Sequence, residues 1–129
     1  MNNMGIGVDI EGIDRFARLN RSLDSSFLNR IFTEKEQDYC FTYKSAGSHL
    51  AVRYAGKEAI IKALTEINKS KDVFYKDIEI LNNENKAPVA KVLKEGYQDL
   101  QINVSFSHTA DMAIAFCVII QTKKQSAAK

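Results

Sequence analysis

The 129-residue sequence has no tryptophan, one proline, six glycines, two histidines and two cysteines. With so little proline and glycine and no repeat, it is neither a collagen-like nor a low-complexity chain. No Pro/Gly/Ser-rich linker divides it. Cys40 and Cys117 are far apart, and with His49 and His108 they make no zinc spacing. Two reduced, buried or half-buried thiols of a cytosolic protein are therefore expected, not a disulfide framework or a zinc cage. Met1 to Gly5 carries neither a basic nor a long apolar region, unlike a signal peptide. The longest apolar run, Met112 to Ile120, is too short to cross a bilayer. A net charge of +2 is too small an excess to imply a nucleic-acid partner. No Gly-x-Ser-x-Gly elbow or relay acid supports a Ser-His-Asp hydrolase. The expectation is a soluble, cytoplasmic protein without a membrane or nucleic-acid role.

What is present is ordinary globular composition, 45% hydrophobic and 26% charged, in a length that suits one domain with one core. Residues 5–11 alternate as a half-buried strand does. Residues 13–21 and 24–31 have helical spacing. Thr33 followed by Glu36 is a capping-box pattern that predicts a helix over 34–43. A long helix is predicted over 49–68 with Ser48 as its N-cap. Residues 77–81 alternate again, Asn82 to Asn85 reads as a turn, and Ala87-Pro88-Val89 leads into a short strand. A short helix near 92–99 precedes a hairpin of residues 101–108 and 112–121 around Thr109-Ala110-Asp111. Helices mostly first and antiparallel strands mostly last predict an α+β fold: a small antiparallel sheet packed with one long and several short helices. Residues 1–121 form the single domain, and 122–129 read as a disordered C-terminal tail.

Two acids carry the chemical signal. In Gly5-Ile6-Gly7-Val8-Asp9-Ile10, Asp9 shares a strand face with two glycines, so something is expected to approach the backbone closely there. A carboxylate on an uncluttered surface suits Mg²⁺, which takes one or two protein carboxylates and keeps several waters. The competing reading is that Asp9 caps the next helix. Glu58 and Lys62 lie four apart on one helix face, which alone suggests an exposed ion pair stabilising the helix by about 0.3–0.5 kcal/mol. Arg53 and Lys57 are also four apart, a like-charge pair that reads instead as a positive helix surface for a pyrophosphate and its metal. Ser105, Ser107 and Thr109 alternate up to the turn beside His108, where they could bind phosphate or move a proton, or simply face water.

Together these segments resemble the holo-acyl-carrier-protein synthase family of 4′-phosphopantetheinyl transferases, in its short bacterial form. The matching stretches are Gly5 to Ile10 through Arg15, Phe32 to Glu36, Arg53 to Leu64, and Val104 to Thr109, within residues 5–120. The resemblance implies the family fold, and Mg²⁺-dependent transfer of the 4′-phosphopantetheine arm from coenzyme A to a serine of apo-acyl carrier protein. Holo-carrier and adenosine 3′,5′-bisphosphate are the products, within fatty acid biosynthesis and lipid metabolism. It implies that Asp9 and Glu58 hold Mg²⁺ and that Asp9, Glu58 and Lys62 are the catalytic set. It places Lys44, Arg53, Lys62, Ser107, His108 and Thr109 at coenzyme A. It also implies a homotrimer with active sites between subunits. The acceptor serine needs a base, for which Glu58 and a metal-bound water are candidates. Arg15, Arg18 and Arg21 recur on one side of the first predicted helix and suit docking of an acidic carrier.

Two features depart from the family. Thr65-Glu66-Ile67-Asn68 stands where a glycine-rich turn is common, and Gly56 stands where alanine is usual, at a helix cost of about 1 kcal/mol. The alternative function is a non-catalytic module that binds coenzyme A or a carrier protein. A Mg²⁺-dependent phosphohydrolase of nucleotides is a third reading.

Overall fold

The computed structural model describes residues 3–122, so residues 123–129 of the expected tail lie outside the described residues. The chain runs β1 (Met4–Gly12), α1 (Asp14–Ala17), α2 (Ser25–Ile31), α3 (Glu34–Cys40) and α4 (Ala46–Glu66). A 3₁₀ turn (Tyr75–Asp77) then leads to β2 (Ile78–Asn82), β3 (Pro88–Val92), β4 (Leu100–His108) and β5 (Met112–Gln121). One antiparallel sheet has the order β1-β5-β4, and β2 and β3 form a separate hairpin. The α+β class is as the sequence predicts.

Helix α4 lies along the inner face of the β1-β5-β4 sheet. Its approach to β1 is close enough that a Cβ on Gly5 would sit 2.1 Å from the Ala63 carbonyl oxygen, and one on Gly7 would sit 2.0 Å from that of Ala59. The close approach expected at these glycines is therefore the protein's own helix. Ala55, Ala59, Ala63 and Leu64 bury against Ala115, Cys117 and Ile119 of β5. A second apolar cluster, with Phe16, Leu28, Phe32 and Leu50, joins the short helices to the start of α4. Cys40 and Cys117 are both buried and free, as expected.

The outer face of the same sheet is apolar and uncovered. Ile6, Val8 and Ile10 of β1 are 49%, 49% and 57% exposed, beside Ile114 and Phe116 of β5 at 39% and 47%. The register pairs Val8 with Phe116 and Ile10 with Ile114. At the free edge of β1, the Ile6 N–H donates to Glu66 Oε1 at 2.8 Å, and the Val8 carbonyl accepts from Lys62 Nζ at 3.0 Å. Among the described residues no helix is long and apolar enough to cross a membrane.

Several local expectations change. The capping box is present: Thr33 Oγ1 accepts from the Glu36 N–H while Glu36 accepts from the Thr33 N–H. The expected helix over 13–21 is a single turn, and Arg18 and Arg21 lie beyond it. Helix α4 begins before Ser48, with Ser45 at its N-cap and no side-chain cap bond. Gly47, in its first turn, lets α4 pack closely on α1, since a Cβ there would lie 2.7 Å from the Ala17 Cα. No helix forms near 92–99; Gly96 adopts a left-handed φ of 93°, and the Tyr97 hydroxyl is tied to the Lys69 carbonyl at 3.0 Å. After Leu64, where the glycine is missing, Asn68 takes the left-handed conformation, at φ 59°. Its N–H donates to the Thr65 carbonyl at 3.1 Å and the Lys69 N–H to that of Leu64 at 2.8 Å, which makes a Schellman end. Gly56 makes room for packing, since a Cβ there would lie 2.7 Å from Ile80 Cδ1 and 2.9 Å from the Phe106 ring, and those side chains would have to shift.

Candidate functional site

Asp9 lies inside β1, not at the start of a helix, and α1 has Ile13 at its N-cap without a side-chain bond. The capping reading of Asp9 is therefore replaced by one in which its strand face looks toward α4. There its Oδ1 lies 3.4 Å from Lys62 Nζ, and its Oδ2 is buried without a hydrogen-bond partner. An orphaned buried carboxylate oxygen is costly, and a native site that keeps one calls for an explanation such as an absent ion.

The expected Glu58–Lys62 ion pair does not form. Lys62 reaches Val8 and Asp9, whereas Glu58 Oε2 accepts from the Tyr54 hydroxyl at 3.1 Å and the Tyr75 hydroxyl at 2.8 Å. Both hydroxyls hold the same oxygen, which orients Glu58 and leaves Oε1 for another ligand. Burial, then hydrogen bonding with Tyr54 and to Glu58, raise the Tyr75 pKa, so this hydroxyl stays protonated as a donor.

A third carboxylate escaped the sequence reading. Glu11 follows Asp9 by two residues and shares its strand face. Its pKa is raised from 4.5 to about 7, first by burial, then by hydrogen bonding and charge repulsion from Asp9; Arg15 opposes this and Glu58 adds to it. Two carboxylates of β1 thus stand together, close enough to Glu58 of α4 for its charge to be felt at Glu11. Among the described residues, no three such groups close into a complete metal cage. An open set with one orphaned oxygen fits Mg²⁺, which retains most of its waters. Alternation of Asp9 and Glu11 along β1 was the available signal. Tyr54 carried a weaker one, four residues before Glu58. Nothing near Tyr75 pointed to it.

The positive surface expected from Arg53 and Lys57 is corrected by their burial, at 2% and 0% exposure. Lys57 Nζ donates to the Ile31, Tyr75 and Ile78 carbonyls and to Glu36 Oε1, all at 2.6–2.9 Å. Glu36 Oε2 in turn accepts from the Ile80 N–H at 2.8 Å. Arg53 donates to the Ile80 carbonyl, the His49 carbonyl and Asn82 Oδ1, and its guanidinium lies 4.6 Å above the Tyr39 ring. The like-charge pair is tolerated because each cation has its own buried acceptors.

The remaining expected residues are spread more widely. Lys44 is exposed and, with Arg21, Phe16 and Tyr43, lines a cavity of about 470 Å³. Ser107 pairs with Ile114 on the outer sheet face, while His108 pairs with Ala113 on the side facing α4. The Thr109 hydroxyl oxygen closes the turn by accepting from the Asp111 and Met112 N–H groups at 3.2 and 3.1 Å. His49 stacks on Tyr43 with ring centroids 3.8 Å apart. Burial, then Arg53 and His108, lower its pKa. The basic row is not one helix face. Arg15 pairs with Glu11 at 3.4 Å, Arg18 with Asp14 at 2.6 Å, and Arg21 with Asp38 of α3 at 2.7 Å.

Residues 5–117 match the family model described as the 4′-phosphopantetheinyl transferase superfamily. The chain is 40% identical over 115 residues to the holo-acyl-carrier-protein synthase of Thermodesulfovibrio yellowstonii, covering 89% of this chain and 96% of that protein. It is 36% identical over 128 residues to the synthase of Aquifex aeolicus, covering 94% and 99%. Among solved structures, it resembles the Chronobacterium ammoniagenes ACPS–CoA complex with a TM-score of 0.75 at 29% identity, over 95% of this chain and 100% of that one. It also resembles the Helicobacter pylori synthase in complex with coenzyme A, with a TM-score of 0.73 at 33% identity, over 88% and 98%.

Proposed function

The chain belongs to the 4′-phosphopantetheinyl transferase superfamily, among the holo-acyl-carrier-protein synthases, and we propose that it transfers phosphopantetheine from coenzyme A to apo-acyl carrier protein. The observation that carries the reading is the buried, unpartnered Asp9 Oδ2, beside Lys62 of α4. Asp9 and Glu58 would hold Mg²⁺, with Glu11 beside them. When bound, Mg²⁺ supplies charge neutralisation on the pyrophosphate.

The chain's own groups supply the rest. The acceptor serine oxygen attacks the phosphorus bearing the pantetheine arm, the anhydride P–O bond breaks, and adenosine 3′,5′-bisphosphate leaves. Glu58, fixed by Tyr54 and Tyr75, is the acceptor assigned to the serine proton. Lys62 is exposed and long enough to turn from Asp9 to a phosphate oxygen. Lys44, His108, Ser107 and Thr109 are assigned to coenzyme A. Arg53 is assigned there through position, since its buried guanidinium holds the start of α4 against β2. Arg15, Arg18 and Arg21 are assigned to the acidic carrier, where paired arginines exchange one acid for another.

Three copies of the chain are proposed to cover one another's apolar outer sheet faces, around Ile6, Val8, Ile10 and Phe116, with active sites between subunits. Residues 1–121 are the catalytic domain, acting in the cytoplasm in fatty acid biosynthesis. Incubating the protein with coenzyme A, Mg²⁺ and apo carrier, then weighing the carrier by mass spectrometry, tests the reading. A phosphopantetheine mass gain that disappears on chelation supports it, and no gain with any apo carrier overturns it.

A further inference from the structure

Arg15 occupies a position that its role in docking does not explain. Its guanidinium lies 3.4 Å from Glu11 Oε1 and stands over two rings, 4.8 Å from the Phe16 centroid and 5.1 Å from that of Tyr54. Glu11 shares the strand face of Asp9, two residues along β1. The Tyr54 hydroxyl donates to Glu58 Oε2 at 3.1 Å. One exposed arginine therefore touches both limbs of the carboxylate group, through Glu11 on the strand and Tyr54 on the helix. The contact to Glu11 is long and half open to solvent, with the Arg15 side chain 59% exposed, so it is easily exchanged.

We propose that Arg15 is a positioning residue that couples carrier docking to metal binding, through its pairing with Glu11 and its cover of Tyr54. This rests on the metal and carrier roles proposed above. In the free protein Arg15 partly neutralises Glu11 and so competes with a cation for the carboxylate group. An acid of the docked carrier draws Arg15 away, Glu11 loses its ion-pair partner, and the carboxylates bind the divalent cation more strongly. By linkage, bound metal turns Glu11 away from Arg15 and strengthens docking by the same factor. The arrangement would load the metal where an acceptor serine is present.

The test measures Mn²⁺ binding by electron paramagnetic resonance, with coenzyme A present and with or without a saturating carrier whose acceptor serine is alanine. The wild-type protein is expected to bind Mn²⁺ about fivefold more tightly or better once the carrier is added. Glu11→Gln, which keeps every docking arginine, should lose that tightening. Arg15→Gln should bind Mn²⁺ more tightly without the carrier and gain nothing from it. Unchanged Mn²⁺ affinity on adding carrier to the wild type overturns the coupling, as does full tightening in Glu11→Gln. Either result leaves the transferase reading standing. Failure of the wild type to bind Mn²⁺ at all would overturn the metal assignment, and the coupling with it.

Discussion

Helix α4 presents two lysines five residues apart, and the surroundings of the two are opposite. Lys57 is fully buried, and its three protons meet four acceptors from α2, α3, the 3₁₀ turn and β2. Lys62 is 54% exposed and reaches an aspartate at 3.4 Å that keeps an orphaned oxygen. The first region is polar and complete, and the second is polar and unfinished. A finished buried network holds a fold in one arrangement. An unfinished one leaves a polar group still able to take a partner. Neighbouring charges on one helix can thus serve structure and chemistry separately, and hydrogen-bond completeness distinguishes them better than charge does.

The sharpest break would come from Lys57→Met, which leaves Glu36 buried without its counter-ion. A loss of about 3–5 kcal/mol in urea unfolding is expected, whereas Lys62→Met should cost less than about 1 kcal/mol. Equal losses would erase the contrast. Next, Asp9→Asn and Glu58→Gln should each slow transfer by about 10²–10³-fold or more, read by carrier mass spectrometry, with melting temperature unchanged. Transfer at the wild-type rate in both would remove the metal assignment. Gly7→Ala forces a Cβ against the Ala59 carbonyl, so β1 and α4 must separate, at about 1–3 kcal/mol. Because that gap adjoins the proposed metal site, Mn²⁺ affinity should fall in the same variant; intact affinity would show that the two are independent.

The smallest effect concerns His49. Its pKa is lowered from 6.5 by burial first, then by Arg53 and His108, so the unfolded chain binds the proton more readily than the folded one. Stability should therefore rise with pH between the lowered value and about 6.5 and level off above it. His49→Phe should flatten that slope in urea midpoints; an unchanged slope would assign it elsewhere.

Much of this was legible where the signal was local. The alternation of residues 5–11 is a pattern within one strand, and the Thr33/Glu36 box and the turn at Thr109 use contacts within a few residues; all three formed. Asp9 and Glu58 stood out because an acid among glycines, and one amid cations, are locally odd. The surroundings of Lys57 were illegible, since its acceptors lie 18–26 residues away and three of the four are backbone carbonyls without side-chain identity. Lys62 pairs across 53 residues with Asp9 in preference to Glu58 four residues away, a choice made by tertiary packing. The first arginine row failed for a related reason: three-residue spacing describes a helix face only while the helix lasts, and α1 stops after one turn.

The covered edge of β1 bears on how large an assembly of this protein can grow. A strand whose outward amide and carbonyl are open can recruit another strand indefinitely, and so seed a fibre. Here Glu66 takes the amide of Ile6 and Lys62 the carbonyl of Val8, so two rungs of that ladder are already filled from within the same chain. Growth by strand addition along β1 is blocked there, while association across the flat apolar face is not. Subunits that meet only face to face around a rotation axis run out of free faces after a few copies. By guarding the strand edge, α4 would favour closure of the proposed face-to-face assembly over open growth.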